Sequence, residues 1–128
     1  MKWTTEAEMT LDYNLLNHRF FQSKLPRLKV KYAKFSRQDS NVLGRTRFLG
    51  GRKHKGKYIK FAPYVIEINE KLRPALFARL NFATEVHEMV HVKLGQRVSC
   101  TLKNERPNPR FQKEIDRLMR LGCFRGVI

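Results

Sequence analysis

Cysteine is scarce, acid is scarce, and no long apolar run exists. Each absence removes a class of protein. Two cysteines, Cys100 and Cys123, in 128 residues cannot form a disulfide scaffold, and neither belongs to a C-x-x-C pair of a zinc ribbon or a thioredoxin-type site. No stretch approaches the ~18 unbroken apolar residues of a membrane span, so no membrane partner is expected. The opening MKWTTEAEMT has no apolar core and carries Glu6 and Glu8, unlike a secretory signal, so the expected location is cytoplasmic. Glycines 50, 51 and 56 do not have the spacing of a dinucleotide or phosphate loop.

What is abundant is positive charge. There are 27 Lys and Arg against 11 Asp and Glu, a formal net charge of +16. From Tyr13 to Ile66 a single acid, Asp39, faces fourteen bases, whereas from Glu67 onward seven acids face twelve. A field so positive over half a small chain favours a polyanion, and in the cytosol that means nucleic acid. Charge alone does not distinguish DNA from RNA. The candidate contacts are Arg45 and Arg47, followed by Arg52, Lys53, Lys55 and Lys57 in the LGGRKHKGK loop. Phe48, Tyr58, Phe61 and Tyr64 lie among these bases, as stacking platforms would, although aromatics in short strands are more often core.

With 41% apolar residues the chain has enough to bury a proper core, and residues 1–128 read as one domain. Thr5 and Glu8 have capping-box spacing ahead of Met9, Tyr13, Leu16 and Phe20, which predicts a helix ending before Pro26. Leu28, Val30 and Tyr32 alternate with Lys29 and Lys31, the pattern of a half-buried strand with a basic outer face. Further strands are expected through Val42–Phe48, Tyr58–Phe61 and a short segment around Val65, Ile66 and Ile68. From Pro74 to Gly95 the pattern is that of a helix burying Leu76, Leu80, Ala83, Val90 and Leu94. VSCTLKNERPNP reads as irregular. Asn108 and Pro109 then open a last helix burying Phe111, Ile115, Leu118 and Met119 and stopping at Gly122. The fold class is α+β.

Residues 87–91 are HEMVH. On a helix, residues four apart share a face, so His87 and His91 can offer two imidazole nitrogens to one zinc ion, with Glu88 at the adjacent position. Zinc in a hydrolytic site needs a third ligand and leaves a position for water. A carboxylate beside that water can take its proton and return it to a departing amine. The competing reading is a pair of histidines packed in the core.

This helix, together with LLNHRFFQSKLPRLKV, NVLGRTRF, IEIN and the closing PRFQKEIDRLMRLG, resembles the SprT-like domain of bacterial SprT and the eukaryotic protease Spartan. The resemblance runs from about Leu11 to Gly122, and the short length and LGCFRG ending are similar to compact phage and prophage members. It implies a minigluzincin-like α+β domain: an N-terminal helix, a small antiparallel-rich sheet, the HExxH helix and a C-terminal helix. It also implies a zinc metallopeptidase acting on DNA-associated proteins, with His87 and His91 as ligands, Glu88 as general base, and DNA rather than RNA as the nucleic acid. The sequence departs from the family at the third ligand. Where members carry a His four residues before the Phe matched by Phe111, this chain has Pro107. Glu105, Asn108, Cys100, Glu114 and Asp116 are the local substitutes, of which Glu105 is preferred on chemistry and proximity. The alternative function is a catalytically degenerate nucleic-acid-binding module that keeps the fold.

Overall fold

The computed structural model describes residues 4–49, 53–54, 57–58, 62–94, 99–101 and 109–124. Three helices, α1 (Glu6–Phe20), α2 (Ala78–Leu94) and α3 (Pro109–Arg120), surround a mixed sheet, an α+β arrangement. The strands are β1 (Lys29–Ala33), β2 (Val42–Leu49), β3 (Lys53–His54), β4 (Lys57–Tyr58), β5 (Ala62–Asn69) and β6 (Ser99–Thr101). The main sheet has the order β1-β5-β2-β6, and β3 and β4 pair as a separate ribbon. β1 is parallel to β5, whereas β2 is antiparallel to both β5 and β6.

Helix α1 begins where the cap predicts. The Thr5 hydroxyl accepts from the Glu8 amide at 3.1 Å and donates to the Glu8 carboxylate at 3.2 Å, closing the capping box from both sides. Two side chains of α1 then protect the outer edge of β1. Thr10 Oγ1 accepts from the Val30 amide at 3.1 Å, and Glu6 Oε2 accepts from the Tyr32 amide at 2.8 Å. Backbone donors that a neighbouring strand would otherwise take are thereby satisfied.

The register separates the sheet into two chemical faces. Val30, Ile66 and Thr46 form one cross-strand row and Tyr32, Ile68 and Gly44 the next, on the face covered by the helices. Lys31, Glu67 and Arg45, then Lys29, Val65 and Arg47, form the rows of the opposite face. The inner rows join Met9, Tyr13, Met89 and Leu118 in the core, where each large apolar side chain contributes roughly 2 kcal/mol.

Several expectations from sequence need correction. The expected strand at Tyr58–Phe61 is replaced by β4, ending at Tyr58, and by an eight-residue β5 that begins at Ala62 and runs through the centre of the sheet. The segment read as irregular includes β6 on the far side of β2 from β5. The turn at Ala75–Phe77 is a 3-10 helix, so α2 begins at Ala78 rather than Pro74. Leu76, at 87% exposed, and Leu80, at 38%, face outward rather than inward. Met119, on α3, is also half exposed, because Leu118 takes the inward position and Glu114 the one a turn before it. α3 ends as expected, at Gly122 with φ 84°, a conformation glycine adopts without cost.

β2 and α2 come together at Gly44. A β-carbon there would lie 2.7 Å from Thr84 Cγ2, 3.3 Å from the Glu67 carbonyl oxygen and 3.4 Å from Glu88 Cγ. Gly44→Ala should therefore lower stability by about 1–3 kcal/mol, the ordinary cost of overpacking. Adding Thr84→Ser removes the closest clashing carbon and should recover part of that loss. Thermal unfolding of the single and double variants checks both expectations.

Candidate metal centre

The approach at Gly44 brings the β2 face against the HEMVH turn. Glu88 is fully buried, and Thr46, two residues along β2 from Gly44 and on the same face, donates from Oγ1 to Glu88 Oε1 at 2.9 Å. His91 is buried and His87 partly so. The two rings lie 4.8 Å apart, centroid to centroid, in an edge-to-face arrangement. Phe111, from the first turn of α3, packs over both, with ring centroids 4.5 Å from His87 and 4.7 Å from His91. Three elements thus converge: α2 supplies the donors, β2 orients the carboxylate, and α3 covers the imidazoles.

The donor atoms of His87, Glu88 and His91 all lie within 4.8 Å of one another, the one such group of three among the described residues. Two imidazole nitrogens and a carboxylate oxygen form a donor set suited to a divalent first-row ion. Desolvation by burial pushes the His87 pKa down to about 4. The imidazole is consequently neutral near pH 7, the form with a lone pair to give. The convergent His–Glu–His group expected from sequence is thus met in geometry. The ion's identity is not fixed by it.

The third-ligand candidates divide clearly. Glu114 is buried but engaged, with Lys93 Nζ at 2.8 Å on one oxygen and Arg117 Nε at 2.9 Å on the other. These bases hold its carboxyl below the usual range against the opposing effect of burial. Asp116 is exposed and accepts from Gln112 at 2.9 Å. Both carboxylates are committed to partners other than the imidazoles. Glu105, Pro107 and Asn108 lie outside the described residues, as does the side chain of Cys100.

The basic candidates are also placed unequally. Arg45 Nε contacts Glu67 Oε1 at 2.7 Å with its guanidinium 4.4 Å above the Phe35 ring, and Arg47 reaches the same oxygen at 3.3 Å and the Tyr64 hydroxyl at 3.1 Å. They lie on the outer sheet face with Lys29 and Lys31, so four bases surround one acid. Lys53 and Lys57 belong to the β3–β4 ribbon, of which only the backbone pairing is described, while Arg52 and Lys55 lie outside the described residues. Tyr64, among the candidate stacking aromatics, is exposed.

Two contributors are not evident from sequence. Thr46 carries a usable signal, since it follows Gly44 at strand spacing on the buried face of NVLGRTRF. Lys29 and Lys31 are legible as an outward basic pair, but their union with Arg45 and Arg47 depends on β5 lying between β1 and β2, a long-range pairing. No helix among the described residues is long and apolar enough to cross a membrane. No protein-family model matches the chain, and neither the curated proteins nor the solved structures yield a match.

One divalent ion per chain is expected, and His91→Ala should remove most of it, as measured by elemental analysis of protein purified without a polyhistidine tag. In metal-free protein, His87 has a folded pKa below its unfolded value. The unfolded chain therefore binds the extra proton, and stability should fall as pH drops from about 6.5 through about 4. Unfolding curves recorded across that window with chelator present check the sign.

Proposed function

We propose that this chain is a zinc-dependent metallopeptidase of SprT-like type, acting on proteins bound to nucleic acid, with DNA the primary polyanion. The observation that carries the reading is the buried His87–Glu88–His91 convergence, with the Glu88 carboxylate oriented by Thr46. A purely structural helix has little reason to bury a carboxylate and two imidazoles together, since each costs desolvation that apolar side chains would avoid. The α+β arrangement, with α2 against a mixed sheet and α3 over the histidines, is consistent with the minigluzincin-like fold that the sequence resembles.

Bound by His87 and His91, zinc would supply Lewis acidity toward a peptide carbonyl and toward a water. Glu88 then takes the proton that the attacking water loses and passes it to the amine nitrogen as the C–N bond breaks, so charge is returned within one turnover. Thr46 restricts rotation of the carboxylate, and Phe111 keeps bulk water from the covered side of the imidazoles. Glu105 is the proposed third ligand. The engagement of Glu114 and Asp116 elsewhere supports it by narrowing the candidates.

The outer sheet face supports the nucleic-acid part of the reading. Lys29, Lys31, Arg45 and Arg47 outnumber the buried Glu67 by four to one, and β2 continues from this face toward the β3–β4 ribbon with Arg52, Lys53, Lys55 and Lys57 in and around it. Such a surface binds phosphates through position and charge without reading bases.

Two measurements test the reading. Zinc-loaded protein given DNA and a DNA-binding protein should cleave the protein, and Glu88→Gln should abolish cleavage while retaining the metal. Inactive zinc-loaded wild type would leave the nucleic-acid-binding module as the function instead. Separately, neutralising Arg52, Lys53, Lys55 and Lys57 should flatten the salt dependence of DNA binding, by up to about 0.9 in slope for each phosphate no longer neutralised. An unchanged slope would transfer the binding to the sheet face.

A further inference from the structure

Around the axis of α2, roughly 160° from His87, lies a carboxylate that the metal centre does not use. Glu85 is 1% exposed, and its Oε1 is sealed from solvent without a hydrogen-bond partner. Its side chain lines a cavity of about 290 Å³ between α1 and the start of α2, shared with Glu8, Asp12 and Phe82. A second cavity of about 430 Å³ adjoins the first through Asp12 and Phe82 and is walled by Leu15, Phe20 and Leu121. The two make one groove with an acidic end and an apolar end, each part close to or within the size range of ligand pockets.

The acidic end stands out in a chain of net charge +16. The buried acids Glu67 and Glu114 each hold two bases, yet no Lys or Arg comes within ion-pair distance of Glu85 or Asp12 among the described residues. A buried carboxylate left without a cation is costly, so the arrangement favours a ligand that brings one. A small metal ion fits poorly. Among the described residues only His87, Glu88 and His91 converge closely enough to share one, so Glu8, Asp12 and Glu85 are too widely spread. A cation on an aliphatic stem fits better, because the charged tip can reach Glu85 while the stem lies against Phe82. Leu15 and Leu121, both more than half exposed, extend the apolar end to the surface.

We propose that the α1–α2 groove docks a polypeptide segment in which a Lys or Arg adjoins an apolar residue. The basic side chain pairs with Asp12 and Glu85, and the apolar one enters the cavity walled by Leu15, Phe20 and Leu121. Charge complementarity selects this occupant, since elsewhere the protein's field repels a cationic peptide. The site does not rest on the metallopeptidase reading, as none of its residues touches the metal centre.

Isothermal titration calorimetry of the full chain, stripped of metal with chelator, against a short peptide of alternating Leu and Lys tests the proposal. Saturable one-to-one binding is expected, weakened at least tenfold by Asp12→Asn with Glu85→Gln and by acetylation of the peptide lysines. Binding should be unaltered in Glu88→Gln, which separates this site from catalysis. Asp12→Asn alone, at a half-buried position, should weaken binding severalfold and serves if the double variant fails to fold. Equal affinity for the acetylated peptide, or for Asp12→Asn and wild type, would overturn the proposal. So would spermidine that displaces the peptide at equal charge concentration, because a free polyamine has no apolar neighbour to place in the second cavity.

Discussion

The close approach of β2 to α2 at Gly44 is the constraint on which the rest of the structure depends. With no β-carbon at that position, Thr84 and Glu88 sit directly against the strand, and the next inward residue, Thr46, reaches the Glu88 carboxylate. A hydroxyl is what this second position needs. A larger apolar side chain would bury Glu88 without that donor, and a carboxylate so placed would lose its charge rather than remain a base. The centre's geometry is thus set by the spacing between two backbones before any side chain of HEMVH is considered. Phe111 then fixes the imidazoles from the third side, which ties the centre to the docking of α3.

The docking of α3 depends in turn on how the chain uses its few acids. Glu114 bridges Lys93 of α2 and Arg117 of α3, and Arg117 also donates to the Phe20 carbonyl at the end of α1 at 2.7 Å. One buried carboxylate therefore joins all three helices. Glu67 does the same for the sheet, anchoring Arg45 and Arg47 over a central strand. Both acids are below 10% exposed, so their pairs are shielded from the screening that makes surface ion pairs nearly worthless. The excess of base over acid leaves the remaining lysines and arginines to build the external field.

Much of the local structure is legible in the sequence because its causes are local. The Thr5 cap, the Lys29–Tyr32 alternation, the His–Glu–His spacing and the Gly122 stop each depend on residues within a turn or two. The errors have a common physical origin. α2 is enclosed by the sheet, α1 and α3, so Asn81, Thr84, Glu85, Glu88 and His91 are all buried, and an apolar stripe is a poor guide to its inward side. Asn81 shows how: its amide donates to the Tyr32 hydroxyl at 2.9 Å, which donates to the Thr4 carbonyl at 2.7 Å, so a polar residue holds the interior position that the apolar pattern assigns to Leu80. β6 is unreadable for another reason. Three residues of strand have no period of their own, and their pairing with β2 spans more than fifty positions of sequence.

Burying polar groups around so much of one helix has a functional logic as well as a cost. Taken around the α2 axis at about 100° per residue, His87, His91, Thr84, Glu88, Asn81 and Glu85 succeed one another across an arc of roughly 160°. Only Leu80 and Val92, near opposite ends of the helix, share that arc with them. Its two sides face different neighbours, Phe111 of α3 at the histidine side and Asp12 of α1 at the Glu85 side. Thr46 and Tyr32 satisfy the middle of the arc with hydrogen bonds from the sheet, so the central polar groups are committed to structure. Chemistry is left to the two sides, where imidazole lone pairs on one and an uncompensated carboxylate on the other lie against side chains rather than backbone. A helix that served only to fill the core would place leucine or valine along that arc and gain stability at every position. The sequence instead accepts the desolvation cost at six positions of the arc, and the sheet's hydrogen bonds to its centre are what make that arrangement tolerable.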